Sequence, residues 1–264
     1  MLLNPLVELL EVVWQVDNRP IIDRVSWKLM PGEHTAILGN NGSGKTSLIR
    51  LATGFLRQNA GGTVRWQGKE QVELRDLRRS IGWVTATLPP QVPLRERVLE
   101  FVASGRHAEV GLRPPIRTEQ TPAESEEASH LLEEFGCSHL ATRRFARLSQ
   151  GEQQRIMLAR ALMALPLIII LDEPCSGLDP GARETFLRAL HDVLERPGCP
   201  TMVMITHHIE EILPATKRVL VMKHGKIVRD GTPNKILTKE TLQQIYGTAP
   251  AKIEMQSGRR WPIW

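Results

Sequence analysis

The feature that most constrains this 264-residue chain is the run Gly39-Asn40-Asn41-Gly42-Ser43-Gly44-Lys45-Thr46. It spells G-x-x-x-x-G-K-[ST] between a short apolar strand, His34–Leu38, and a stretch of helical spacing, Thr46–Thr53. The glycines let backbone N–H groups turn inward onto phosphate oxygens, and the helix that follows adds the positive end of its dipole. Lys45 is placed to reach the β- and γ-phosphates, and the Thr46 hydroxyl to ligate Mg2+. Strand, loop and helix in this order predict a nucleoside triphosphate site on an α/β core.

The rest of the chain fits such a core. Leu6–Val16 and Ile21–Leu29 alternate as strands on either side of the turn residues Asp17-Asn18-Arg19-Pro20. Thr63–Gln67 and Ile81–Thr85 read as further strands. Between Thr87 and about Arg147, prolines and helical stretches (Val98–Ala103 and Pro122–Phe135) replace the strand pattern, which reads as a helical insert. Alternation then returns: helix 151–164, strand 167–171, helix 181–195, strand 201–205, helix 208–214, and strands 218–222 and 226–228. Such alternation predicts a mostly parallel sheet. The apolar strand Leu167–Leu171 delivers Asp172 and Glu173 at its C-terminal end, where an α/β sheet places its ligand. Asp172 is expected in the Mg2+ shell, and Glu173 is expected to polarise the attacking water.

Ahead of the next helix, Leu148-Ser149-Gln150-Gly151-Glu152-Gln153-Gln154-Arg155 resembles the signature motif of the ATP-binding cassette (ABC) ATPases. Ser176-Gly177-Leu178-Asp179 resembles that family's D-loop, and Thr206-His207 its switch histidine. Trp14 stands where the family stacks an aromatic ring on adenine, a contact an indole face makes well. The resemblance covers roughly residues 6–232. It implies a P-loop NTPase core with a mostly parallel sheet, an N-terminal antiparallel β subdomain and an inserted helical subdomain. It also implies that ATP and Mg2+ are bound, and that Ser149 and Gly151, at a helix start, close on the γ-phosphate held by a second subunit. Two ATP molecules would lie between two chains head to tail, with His207 on the γ-phosphate and Asp179 communicating between the sites. No role is assigned to His208.

One position departs from the family pattern. Where a glutamine usually follows the strand Ile81–Thr85, this chain has Ala86, whose methyl ligates nothing. Gln91, beyond Pro89-Pro90, is the candidate substitute. If Ala86 weakens the metal shell, Ala86→Gln is expected to raise kcat or tighten the Mg2+ dependence of hydrolysis. An unchanged Mg2+ titration would sink that account.

The domain division expected is a nucleotide-binding core at 1–86 and 148–235, a helical subdomain at 87–147 ending in the signature, and a C-terminal extension at 236–264. Cys137, Cys175 and Cys199 are widely spaced, which argues against a disulfide framework or zinc site and for a reducing compartment. The opening residues have no basic flank and carry Glu8 and Glu11, so they read as a strand rather than a signal peptide. The longest apolar stretch, Ala161–Leu171, has 11 residues and contains Pro166. A spanning helix needs ~20, so any transport path is expected on another chain. The net charge is +5, which reads as an ordinary solvated surface. Arg259–Trp264 reads as a disordered or locally packed tail.

These features lead to an ATPase that acts as a homodimer and energises solute transport through a separate integral-membrane permease. It would sit peripherally on the cytoplasmic face of the membrane, with no nucleic acid expected. The alternative is a stand-alone soluble ABC ATPase, an ATP-dependent switch on a nucleic acid, ribosome or protein.

Overall fold

Val7, Leu9 and Val12 form the buried side of the first strand, and the chain reverses at Asp17-Asn18, both with positive φ (49° and 58°). Val16 pairs with Arg19 across this two-residue turn, the geometry that matches strand twist. The computed structural model describes residues 4–85, 96–107 and 121–264. Ala86 and Gln91 therefore lie outside the described residues.

The first half comprises β1 (Val7–Val16), β2 (Arg19–Leu29), β3 (Thr35–Leu38), α1 (Lys45–Ala52), β4 (Thr63–Trp66), α2 (Leu74–Arg79) and β5 (Ile81–Thr85). Then come α3 (Val98–Ala103), α4 (Pro122–Glu134), α5 (Gln150–Met163), β6 (Ile168–Asp172) and α6 (Pro180–Leu194). The last part is β7 (Thr201–Thr206), β8 (Arg218–Lys223), β9 (Lys226–Gly231), α7 (Pro233–Ile236), α8 (Lys239–Tyr246), β10 (Lys252–Gln256) and β11 (Arg259–Ile263).

The chain divides into two units, Met1–Leu77 with Thr201–Trp264, and Arg78–Pro200. In the first, β3 is parallel to both β7 and β8, while β9 runs antiparallel to β8. All four residues of β3 are buried, as a strand flanked on both sides requires. A separate antiparallel sheet has the order β2-β1-β4. Ala36, Leu38, Val219, Val221, Leu242 and Ile245 belong to one buried aliphatic cluster joining the strands to α8. Burying each larger side chain contributes about 1.5–3 kcal/mol against leaving it exposed. Helix α8 starts at Thr238, whose hydroxyl accepts the Thr241 N–H, and stops at Gly247 (φ 81°), whose N–H donates to Gln243 O. That glycine supplies the left-handed residue such a stop needs.

In the second unit β5 and β6 are parallel, in register from Ile81↔Ile168 to Thr85↔Asp172. Helix α5 packs on β5, and α3, α4 and α6 pack on α5. Thr121 and Glu124 form a reciprocal capping box at the start of α4, with Pro122 at the first helical position. Phe101 of α3 packs on Phe145 at 4.4 Å between ring centroids.

The α/β class, the parallel pairings and the N-terminal antiparallel sheet are as expected. One local expectation is not. The helix expected at 208–214 is a short 3-10 turn, Ile209–Glu211. Pro214 disfavours helical backbone at Leu213, and the Glu211 carboxylate is engaged by Thr206 at 2.5 Å. Of the two forms expected for the tail, the locally packed one is found: β10 pairs with β11 through Ser257-Gly258, with positive φ at both (49° and 73°), and Arg259 is buried. The three cysteines are free.

Candidate functional site

The phosphate loop leaves the sheet where packing leaves no room for side chains. Gly39 follows Leu38, and a Cβ there would lie 2.4 Å from Met222 O and 2.6 Å from Ser43 Oγ. Gly44 has φ 102°, and its Cβ would meet Ile21 O at 2.9 Å. Gly42 turns with φ 77° over open space. Asn40, Asn41 and Gly42 are exposed, whereas Ser43 and Lys45 are buried. Gly44 precedes α1 without a side-chain cap, so no side chain competes with an anion for the first N–H groups of the helix.

Lys45, only 5% exposed, donates its ammonium to Gly39 O at 2.8 Å and Asn40 O at 3.0 Å. Ser43 Oγ is buried, with no hydrogen-bond partner among the described residues. A buried hydroxyl of that kind needs an acceptor, and a phosphate oxygen in this loop would supply one. The loop is pinned from outside by Gly225 N–H to Ser43 O at 3.0 Å and by Asn40 Nδ2 to Ile245 O at 2.5 Å. Thr46 is half-buried in the first turn of α1.

His207 comes to the same edge through strand register. Leu38 pairs with Thr206, so Gly39 and His207 are the next residues out from neighbouring parallel strands, which lie about 4.8 Å apart. Thr206, 1% exposed, donates its hydroxyl to Glu211, 3% exposed, and accepts the His208 N–H at 3.0 Å. The His207 carbonyl accepts the Tyr246 hydroxyl at 2.6 Å. Its ring lies 4.1 Å from that of His208, centroid to centroid. Trp14, half-buried, sits between two register shifts of β1, irregularities of the kind that re-aim a side chain.

The other expected residues belong to the second unit. Asp172 closes β6 and Glu173 follows with φ 48°, a conformation a non-glycine residue holds at a cost of order 1–3 kcal/mol. Both are half-buried. Ser149 caps α5 in a capping box: the Glu152 carboxylate accepts the Ser149 N–H at 2.7 Å and the Ser149 hydroxyl at 2.8 Å. Those two bonds hold the Glu152 carboxyl below the usual carboxylate range. This helix start thus already carries one carboxylate, supplied from within the signature run by its S-x-x-E spacing.

Gly151 is where α5 meets α6, since a Cβ would lie 2.8 Å from Ala182 Cβ. Gln150 Nε2 donates to Ser176 O at 3.0 Å, so the signature run touches the Ser176–Asp179 segment directly. Asp179 caps α6, accepting the Ala182 N–H at 2.9 Å. Buried Gln154 donates to Thr85 O at 3.2 Å, tying α5 to the end of β5. Sequence reasoning passed over Gln154, Glu211 and Tyr246. Gln154 lay in plain view within the signature run, but the other two carry no local signal.

The donor chemistry suits the expected ligands. A hydroxyl and a carboxylate are hard oxygen donors appropriate to Mg2+, which keeps waters and substrate phosphates as its other ligands. Among the described residues no cluster of three or more His, Cys, Asp or Glu could cage a metal by itself.

Comparison with known proteins agrees with this geometry. The family model described as ABC transporter matches residues 22–176. An uncharacterized ABC transporter ATP-binding protein of Bacillus subtilis (strain 168), YlmA, is 35% identical over 249 residues, spanning 90% of this chain and 92% of its own. Among solved structures, the ADP conformation of MJ1267, an ATP-binding cassette of an ABC transporter, superposes with a TM-score of 0.79 at 26% identity, covering 92% of this chain and 98% of that one. CbiO1 from Clostridium perfringens, part of the ABC transporter complex cbiONQ, gives 0.75 at 26% identity, with 91% and 94% covered. The family model covers more than half of the chain and YlmA is 35% identical over 90% of it, so this chain belongs to the ABC transporter family as a single-cassette ATPase that energises transport.

Proposed function

We propose that two copies of this chain close head to tail over two ATP molecules, and that closing and reopening drive a separate integral-membrane permease. The phosphate cradle carries the reading: Gly39 admits no side chain, and Ser43 Oγ is buried inside the loop without a partner among the described residues. Lys45 turns from its own loop carbonyls to the β- and γ-phosphates. Ser43, with the backbone of Asn40 to Thr46, completes the cradle, and Trp14 stacks on the adenine. Thr46 and Asp172 would hold Mg2+, which would supply positive charge against the phosphates. Glu173 orients and polarises the attacking water, and His207 contacts the γ-phosphate.

From the opposite chain, Ser149 and Gly151 present the start of α5 to that same phosphate. The Ser149 hydroxyl exchanges its bond to Glu152 for one to a phosphate oxygen. Asp179, fixed as the cap of α6, lies in the segment that Gln150 touches, so a shift of the signature reaches the neighbouring site through it. The nucleotide-binding core is residues 1–86 and 148–235, the helical subdomain 87–147, and the C-terminal extension 236–264. Among the described residues no helix is long and apolar enough to cross a membrane, which supports a peripheral place on the cytoplasmic face beside the permease.

The test is recovery of tagged Glu173→Gln protein from detergent-solubilised native membranes in MgATP. The expected companion is a polytopic membrane protein in stoichiometric amount. Recovery of a soluble homodimer alone, or of ribosomes or nucleic acid, would replace the permease reading with that of a stand-alone switch.

A further inference from the structure

The end of α8 touches the nucleotide site twice, through adjacent residues. Ile245 O accepts Asn40 Nδ2 from the phosphate loop at 2.5 Å, and Tyr246 Oη donates to His207 O at 2.6 Å. These contacts join positions 205 and 39 residues apart, so neither follows from local sequence. Tyr246 is the only tyrosine in the chain. Its ring packs on the aliphatic cluster of β3, β8 and α8, and Trp264 meets it edge-on at 5.5 Å.

The C-terminal hairpin holds this arrangement from outside. Arg259, buried and stacked 5.1 Å from the Trp261 ring, donates to Glu210 O at 3.0 Å. Lys239 of α8 donates to Ala251 O just ahead of β10. Glu210 is also the ion-pair partner of His208, at 3.3 Å. The segment from Thr206 to Glu211 is therefore held by its own Thr206–Glu211 bond, by Tyr246 from α8 and by Arg259 from β11. A histidine that must meet a phosphate within a few tenths of an ångström needs backbone fixed in this way.

We propose that Tyr246 is a positioning residue of the ATPase, which fixes the backbone of His207 through its hydroxyl while the adjoining Ile245 carbonyl fixes the phosphate loop through Asn40. The proposal rests on the reading of His207 as the γ-phosphate contact. The end of α8 is then a strut between the two parts of the site that lie on neighbouring strands, and the hairpin of β10 and β11 is its brace. Burial, reinforced by Glu210 and Glu211, pushes the phenol pKa well above its ordinary value, so the hydroxyl remains a donor wherever the enzyme works. Nothing else about Tyr246 needs a hydroxyl: its packing on the cluster and on Trp264 is made by the ring.

Tyr246→Phe keeps the ring and the Ile245–Asn40 bond, and removes only the bond to His207. Its kcat is expected to fall about 10-fold, the size an unmade buried hydrogen bond carries, while KM for ATP stays within about two-fold because the phosphate loop keeps its anchor. A merely structural hydroxyl would lower the thermal midpoint and leave kcat at 20 °C unchanged, and that outcome overturns the proposal. A second measurement does not depend on the variant folding. Full-length protein grown with 3-fluorotyrosine gives one 19F resonance, from Tyr246, and saturating MgATP in the Glu173→Gln background is expected to shift it. A resonance that ignores ATP overturns the proposal.

His207→Ala separates the two levels of the argument. If it hydrolyses ATP at the wild-type rate, the switch reading falls and this proposal with it. If it is inactive while Tyr246→Phe is fully active, the positioning role alone is overturned.

Discussion

Glu173→Gln is expected to lower ATP turnover by at least about 100-fold, the lower bound for losing a general base, while ATP stays bound. Gln is nearly isosteric with Glu and keeps the residue's backbone, so stability should change by no more than about 0.5 kcal/mol. The left-handed conformation of Glu173 (φ 48°) is set by the turn after β6 and is closed by the Ser176 N–H to Glu173 O bond at 3.1 Å. What changes is the carboxylate. On the proposed reading, a neutral amide could not take the proton of the attacking water and would remove a negative charge from the nucleotide site. Both effects favour the ATP-bound, closed state. Light scattering should accordingly report a dimer in MgATP and a monomer without it. A variant that stays monomeric in MgATP counts against the head-to-tail pair, and one that still turns over ATP at the wild-type rate removes Glu173 from its role.

Lys45→Ala is expected to weaken ATP binding by about 10–100-fold or more, since a hydrogen bond to a charged group contributes about 1.5–3 kcal/mol and Lys45 makes its bonds in a buried setting. The substitution also acts on the protein itself. In the structure the ammonium satisfies the carbonyls of Gly39 and Asn40, and removing it leaves each of those groups short of a partner, at about 1–3 kcal/mol when buried. Two observables separate these effects. The melting temperature without nucleotide should fall modestly, and the stabilisation by ATP should disappear. In the wild type that stabilisation is about 2.7 kcal/mol at a ligand concentration 100 times Kd. A Lys45→Ala protein that keeps the full ATP-induced rise would show that the cradle binds phosphate through its backbone alone.

Much of this site was legible because its chemistry is written in contiguous residues. The run from Gly39 to Thr46 has to be continuous, since a loop that wraps a phosphate with its own amides is one stretch of backbone. The pair Asp172-Glu173 announces itself because a parallel strand delivers its last residues at the ligand edge. The signature from Leu148 to Arg155 was readable for the same reason. Periodicity placed most strands and most helices within a residue or two, though β9 runs three residues beyond the expected 226–228. It failed at 208–214, where a side-chain bond from Thr206 to Glu211 and the proline at 214 prevail over helical spacing. The tail was read only as far as local packing, because Ser257-Gly258 flanked by alternating residues went unread as a turn signal.

The sequence by itself determined the family, the glycine-rich loop between strand and helix, and the order of the central strands and helices, because each depends on backbone geometry or on spacing within one short segment. Only the tertiary structure decided that Leu38 pairs with Thr206 and so sets Gly39 beside His207, and that Tyr246 reaches back 39 residues to His207. Those pairings come from strand register and from the seating of α8 on a shared aliphatic cluster. Both are properties of packed surfaces, and no local stretch of sequence contains them.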